Sequence, residues 1–282
     1  MNSLIEERTF AGNDGTHLFF RSVRPQDPKG VIVIVHGYGE HSGRYVATMQ
    51  RFAEGGYAVY CMDLRGFGRN TTLLGYLRDS SEIVSDLSLL TELAAREVPE
   101  RGTTLLGHSM GGLIALKQLL EHQGAYDAAI TSGPALLPPP NTSKTVIALA
   151  GLLSRIVPRV PVSQMEKAKG TRNEEVLEHD RIDPLFYDGG FRARTGHELL
   201  KLQVEVTGRL GEITIPLLAL HGEGDLLIDP RATEILYEGV GSEDKTKVVF
   251  PVLYHEVLNE PEREIVFVKI FEWLEPRLTA GA

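Results

Sequence analysis

Ser109, Asp225 and His255 have the residue types and the chain order that acyl-transfer chemistry requires. Ser109 stands in Gly107-His108-Ser109-Met110-Gly111, directly after the apolar run Thr103-Thr104-Leu105-Leu106 and directly before the helix-like pattern Gly112-Leu113-Ile114. A serine hydroxyl is a weak nucleophile until a base takes its proton. A G-x-S-x-G turn that ends a strand and opens a helix lifts that hydroxyl clear of the sheet at the positive end of the helix dipole. Gly107 and Gly111 carry no Cβ, so strand and helix can close on a backbone strained at the serine itself. With Gly 29 in 282 residues, about one unrelated chain in seven would hold the pentapeptide by chance, so its partners must carry the argument.

Those partners are expected in the order serine, acid, histidine, each beyond the carboxyl end of a later strand. Asp225 lies in His221-Gly222-Glu223-Gly224-Asp225, a glycine-rich loop after the apolar run Ile215–His221. Its rivals are Glu223 and Asp229. Asp229 directly precedes Pro230 and reads as a helix cap followed by the first helical residue. Of the 9 histidines only His255 follows Asp225. Alone it would read as a surface-loop histidine; after a serine and an acid in this order it reads as the base, with Asp225 fixing its tautomer. The oxyanion needs two backbone N–H donors, for which Met110 and Tyr38 stand in the right places: the first follows the serine, the second lies in the loop His36-Gly37-Tyr38-Gly39. The bland alternative for that loop is a plain glycine turn.

The elements that must position these residues alternate between short apolar strands and amphipathic helices, the mark of an α/β fold with a mainly parallel sheet. Strands are expected at Thr16–Ser22, Val31–Val35, Ala58–Met62, Thr103–Leu106, Ala128–Ser132, Ile215–His221 and Lys247–Phe250. Helices are expected at Arg44–Glu54, at Ser81–Arg96 with Ile83, Leu87, Leu90 and Ala94 on one face, after the serine, from about Pro230, and after Asn259 and Pro261. The alternation stops at Leu137-Pro138-Pro139-Pro140. We therefore expect a core of residues 1–137 and 210–282, interrupted by a helical cap over 138–209. Within the cap, Val146, Ile147, Leu149, Leu152, Leu153, Ile156 and Val157 either bury against the core or face lipid. Burial is the expectation, because an interfacial helix usually carries a basic face and Arg155 is the only charge here. Phe186, Tyr187 and Phe191 read first as packing and second as pocket lining.

Composition narrows the function classes. A formal net charge of -9 with no basic run excludes a nucleic-acid partner. Cys 1 excludes an internal disulfide and fits a reducing, cytoplasmic setting. The N-terminal residues Met1–Arg8 carry acids where a signal peptide needs an apolar core, and no segment reaches membrane-spanning length. His255-Glu256-Val257-Leu258-Asn259 lacks the second histidine of a zinc helix, and Arg65-Gly66-Phe67-Gly68-Arg69 lacks the third glycine of a dinucleotide loop, so neither metal nor cofactor is expected.

With these residues in view, the chain resembles the α/β-hydrolase fold and, within it, the monoacylglycerol lipase and lysophospholipase branch of serine hydrolases. The resemblance runs over nearly the whole length. It rests on His36-Gly37-Tyr38-Gly39-Glu40-His41-Ser42-Gly43-Arg44-Tyr45, Gly107-His108-Ser109-Met110-Gly111-Gly112, Asp183-Pro184-Leu185, the loop through Asp225 and Tyr254-His255-Glu256. It implies Ser109, Asp225 and His255 as the triad, the amides of Tyr38 and Met110 as the oxyanion hole, and no cofactor. It also implies a substrate subsite at Glu40 and Arg44. The positions of a Tyr and a His that contact the glycerol head in some members fall at Asp180 and Leu258. In the family's R-G-H-G-x-S loop, Phe67 and Asn70 replace the His and Ser. The implied activity is cleavage of an acyl ester of the monoacylglycerol kind in a small-molecule or lipid substrate, with transient contact between cap and membrane surface. Lysophospholipase, lactonase, thioesterase and peptidase activities would use the same triad; a non-catalytic binding protein on this fold is the rival from another class.

Overall fold

The computed structural model describes residues 4–71, 73–139, 142–163 and 170–278. Its centre is one eight-stranded sheet built from β1 (Glu6–Ala11), β2 (His17–Val23), β3 (Gly30–Val35), β4 (Tyr57–Met62), β5 (Thr103–His108), β6 (Ala128–Ser132), β7 (Leu217–Gly222) and β8 (Lys245–Phe250), in the order β1-β2-β4-β3-β5-β6-β7-β8. The β1–β2 and β2–β4 pairs are antiparallel, and every other pair is parallel. Parallel strands need crossover helices, which cover both faces, and this is why β3 to β7 read as nearly unbroken apolar runs. Alternation of side chains sends Val31, Val33 and Val35 into one core layer and Ile32 and Ile34 into the other.

Helices α1 (Val46–Glu54), α2 (Ser80–Glu97) and α3 (Met110–His122) follow β3, β4 and β5, and α7 (Arg231–Gly239) and α8 (Arg263–Leu278) lie late in the chain. Met49 and Phe52 of α1 pack with Val266, Phe267, Ile270 and Leu274 of α8 on one face of the sheet. Ile83, Leu87 and Leu90 of α2 and Leu113 and Leu116 of α3 fill the other. The helix expected at 44–54 begins as a 3-10 turn, Ser42–Tyr45, in which the His41 ring nitrogen accepts a hydrogen bond from the Gly43 amide. β1 was not expected. Its side chains are partly or fully exposed, so it lacks an apolar signal, yet Phe10 packs edge-on against Phe20 at 5.7 Å.

Between β6 and β7 run α4 (Lys144–Ile156), α5 (Glu174–Ile182) and α6 (Ala193–Arg209). A single antiparallel bridge, Pro161 with Arg192, is the one β contact described in this segment. The expectation that the apolar residues of α4 bury is corrected: Ile147, Leu149, Leu152 and Ile156 are exposed. Val146 lies outside the described side chains. The physical reason is that α4 packs on α6 and lends Ala150 and Leu153 to a cavity, and among the described residues no further layer covers its outer face. Backbone and side-chain bonds tie the segment to the core: the Tyr187 amide donates to Gly39 O at 2.9 Å, His41 Nε2 meets Asp183 Oδ2 at 2.9 Å, and Arg172 Nε donates to Glu260 Oε2 at 2.6 Å.

Candidate active site

Ser109 joins β5 to α3 at φ 52°, a left-handed conformation costly for a residue with a Cβ. The strain is held from both sides. Its amide donates to Ser132 O at 2.9 Å, and its carbonyl accepts from the amides of Gly112 at 2.9 Å and Ala135 at 3.1 Å. A Cβ on Gly111 would stand 2.1 Å from Val35 O, and one on Gly107 2.4 Å from Gly111 O, so the crossing of strand and helix admits only glycine at both places.

Asp225 follows β7, and its carboxylate is saturated. Oδ1 accepts from the amides of Leu227 at 2.7 Å and Ile228 at 2.9 Å; Oδ2 accepts from His255 Nδ1 at 2.6 Å and His221 Nε2 at 2.9 Å. The loop after β8 reaches it because Gly222 lets the backbone come close: a Cβ there would lie 2.1 Å from Tyr254 O. Glu223 is exposed, and Asp229 accepts from the Arg231 amide at 2.9 Å just before α7, one residue ahead of the cap position expected of it, since Pro230 is the N-cap and Arg231 the first helical residue. Of the three acids, Asp225 is the one bonded to His255.

Burial acts to raise the Asp225 pKa, but the positive partner His255 and the hydrogen bonds from His221, His255 and Ile228 outweigh it, and the carboxyl is held well below the usual range. Burial likewise acts to lower the His255 pKa, and the Asp225 carboxylate more than offsets it, so that imidazole is raised. His108, buried with its ring centroid 4.7 Å from that of His255, is pushed down to about 4 by burial and by its neighbour.

The loop after β3 is fastened by two side chains. Glu40 Oε2 accepts from the Gly37 amide at 2.6 Å and from Tyr45 Oη at 2.8 Å. His36 Nε2 accepts from the Leu64 amide at 2.9 Å, which leaves Nδ1–H to donate to Gly37 O at 2.8 Å; burial lowers its pKa and keeps this neutral form. The Tyr38 ring packs on Phe67 at 5.3 Å and Phe191 at 4.4 Å. Phe67 is thus core, and Asn70 accepts from the Phe19 amide at 2.7 Å; both residues of the divergent loop are structural.

A cavity of about 480 Å³ is bordered by Tyr38, Ser109, Met110 and His255. Leu113, Leu137, Leu153, Phe191, Leu199 and Ile228 are apolar lining; Glu40, His108 and Glu256 form one polar cluster, and Ser163, His197 and Gln203 are further polar lining. Phe186 also lines it, whereas Tyr187 packs edge-on against Tyr38 at 5.9 Å. Of the expected substrate-subsite residues, Glu40 borders the cavity; Arg44, Asp180 and Leu258 are not among its described lining. Leu258 is buried in the core layer with α8. Arg44 is buried against the polar cluster. It pairs with Glu40, donates through Nε to Asp180 Oδ1 at 2.7 Å and through Nη2 to Asp180 Oδ2 at 2.6 Å, and reaches Glu256 Oε2 at 2.9 Å. Burial alone would raise Glu40, but chiefly Arg44 brings it down to about 2. For Asp180 burial prevails and its carboxyl is raised.

Sequence reasoning missed His221, His36 and Glu256. Only the adjacency of His221 to the acid loop and of Glu256 to His255 hinted at a role. Among the described residues no group of three or more His, Cys, Asp or Glu is arranged to hold a metal, and no helix is long and apolar enough to cross a membrane.

The family described as serine aminopeptidase, S33, matches residues 26–262. A monoacylglycerol lipase of Mycolicibacterium smegmatis is 37% identical over 279 residues, covering 99% of this chain and 100% of that protein. The human monoglyceride lipase is 31% identical over 274 residues, covering 95% of this chain and 90% of that protein. The crystal structure of Paleococcus ferrophilus monoacylglycerol lipase superposes with a TM-score of 0.84 at 27% identity, covering 95% of this chain and 100% of that one. The strained serine turn, the eight-stranded sheet and these likenesses lead to one assignment: the chain is of the α/β-hydrolase fold and belongs to the serine aminopeptidase S33 family, alongside the monoacylglycerol lipases.

Proposed function

We propose that the protein is a carboxylic-ester hydrolase of the monoacylglycerol lipase type, acting on a neutral acyl ester through Ser109, His255 and Asp225. The observation that carries this reading is the 2.6 Å bond from His255 Nδ1 to Asp225 at the rim of an apolar cavity that Ser109 also borders. His255 takes the Ser109 proton as Oγ attacks the acyl carbon, and Asp225 stabilises the imidazolium. The amides of Tyr38 and Met110 receive the oxyanion. Collapse expels the alcohol, which takes the proton from His255; water activated by the same ring then releases the carboxylic acid and frees Ser109. The apolar lining suits the acyl chain, and the polar cluster of Glu40, His108 and Glu256 suits a hydroxylated leaving group. In this reading residues 138–209 act as a cap whose exposed α4 face makes transient membrane-surface contact, and the enzyme works in the cytoplasm.

The test is a rate comparison across matched monoacylglycerol, lysophospholipid, thioester, lactone and amide substrates, together with fluorophosphonate labelling. We expect labelling at Ser109 and the highest kcat/KM on monoacylglycerol. Failure of Ser109 to label, or faster amide than ester cleavage, would overturn the reading.

The pH profile follows from the raised His255 pKa. The base must be neutral, so kcat/KM should climb with pH through a midpoint above the ordinary imidazole value and level off beyond it. Asp225→Asn removes the charge that stabilises the imidazolium, so the midpoint should move to lower pH while the plateau falls about 10⁴-fold. A profile that Asp225→Asn leaves unmoved would contradict this assignment.

A further inference from the structure

Asp225 Oδ2 is shared. His255 takes it from the cavity side, and His221, the next-to-last residue of β7 and wholly buried, takes it from behind at 2.9 Å through Nε2. His221 is not among the described lining of the cavity, and nothing in the proposed reaction uses it. Its other nitrogen, Nδ1, lies 2.6 Å from Thr233 Oγ1 on α7. An ionised carboxylate only accepts, so the Nε2 facing it must carry a hydrogen; the Nδ1 of a neutral ring then accepts the Thr233 hydroxyl. Thr233 thereby fixes the one neutral tautomer that can serve Asp225, as outer partners do for metal-bound histidines. Besides Asp225, the charged groups facing this ring are Asp229, at the head of α7, and His255, across the shared oxygen.

We propose that His221 is a positioning residue for catalysis, held by Thr233, which orients Asp225 and limits how strongly its Oδ2 raises the basicity of His255. The inference rests on the triad reading given above. A donor on the shared oxygen withdraws charge from it. Without that donor the carboxylate favours the imidazolium more strongly, and the plane that aims Oδ2 at His255 is held only by the Leu227 and Ile228 amides at Oδ1.

The experiment compares pH profiles of kcat/KM for the full chain and three variants. His221→Leu should move the acid limb up by about half to one pH unit and lower plateau kcat by about tenfold, with KM little changed. His221→Gln places an amide nitrogen where Nε2 stands and should return the limb toward that of the unaltered protein. Thr233→Val should move it in the same direction as His221→Leu, by less. A limb in His221→Leu that coincides with the unaltered protein's, or an equal displacement in His221→Leu and His221→Gln, overturns the proposal. If His221→Leu does not fold, an unmoved limb in Thr233→Val overturns it. Fluorophosphonate labelling of Ser109 in the unaltered protein separates the two readings: labelling with unmoved limbs removes the role of His221 alone, whereas no labelling removes the triad.

Discussion

Replacing Ser109 with alanine is expected to lower ester turnover by about 10⁴- to 10⁶-fold while the protein stays folded. The size of the loss follows from the loss of the covalent route. Without Oγ, His255 has no nucleophile to activate, and only the oxyanion donors and the binding of the acyl chain in the cavity remain to assist attack by water. Stability should change by no more than about 1 kcal/mol, because the turn is held through the backbone, by bonds from the Ser109 amide to Ser132 and from Gly112 and Ala135 to the Ser109 carbonyl. Thermal unfolding followed by circular dichroism, beside an ester assay, checks both parts. A variant that keeps its rate would remove Ser109 from the chemistry.

Arg44→Met is expected to have the largest effect on stability, a loss of about 3–5 kcal/mol. The guanidinium is enclosed by Glu40, Asp180 and Glu256, and its removal leaves three acidic side chains facing one another with little water to screen them. Glu40 also holds the Gly37 amide, so its displacement would loosen the loop that carries the Tyr38 N–H. Urea unfolding should show an earlier midpoint, and adding Asp180→Asn should restore part of the loss by removing one of the stranded charges. An unchanged midpoint would mean that the cluster is solvated and carries little net energy.

The parts of this molecule that were legible in the sequence are those encoded locally. Ser109 betrays itself because a strained turn demands glycine at 107 and 111. The strands β3 to β7 show because they are buried on both faces, and the bonded pair Asp225 and His255 could be singled out because chain order leaves few choices. What stayed hidden depends on contacts between distant residues. His221 could not be told from any other strand histidine until β7 and α7 placed it between Asp225 and Thr233. Arg44 and Asp180 meet across a separation of 136 residues, and nothing local says that one cation will serve acids from three elements. The apolar character of the α4 residues points to the core and cannot report that, among the described residues, no further layer lies above them. Leu258, aligned by the resemblance with a head-group contact, has a side chain suited to the core, and that is where it sits.

All five of β3, β4, β5, β6 and β7 run in one direction, so the residues assigned to chemistry gather on a single rim of the sheet. The opposite rim, which holds Glu100 and Arg101 in the exposed turn before β5, carries none of them. For anyone wishing to attach this protein to a bead, an electrode or a fusion partner, that turn is the natural point of anchorage: a tether there sits at the end of the strands away from Ser109 and Asp225.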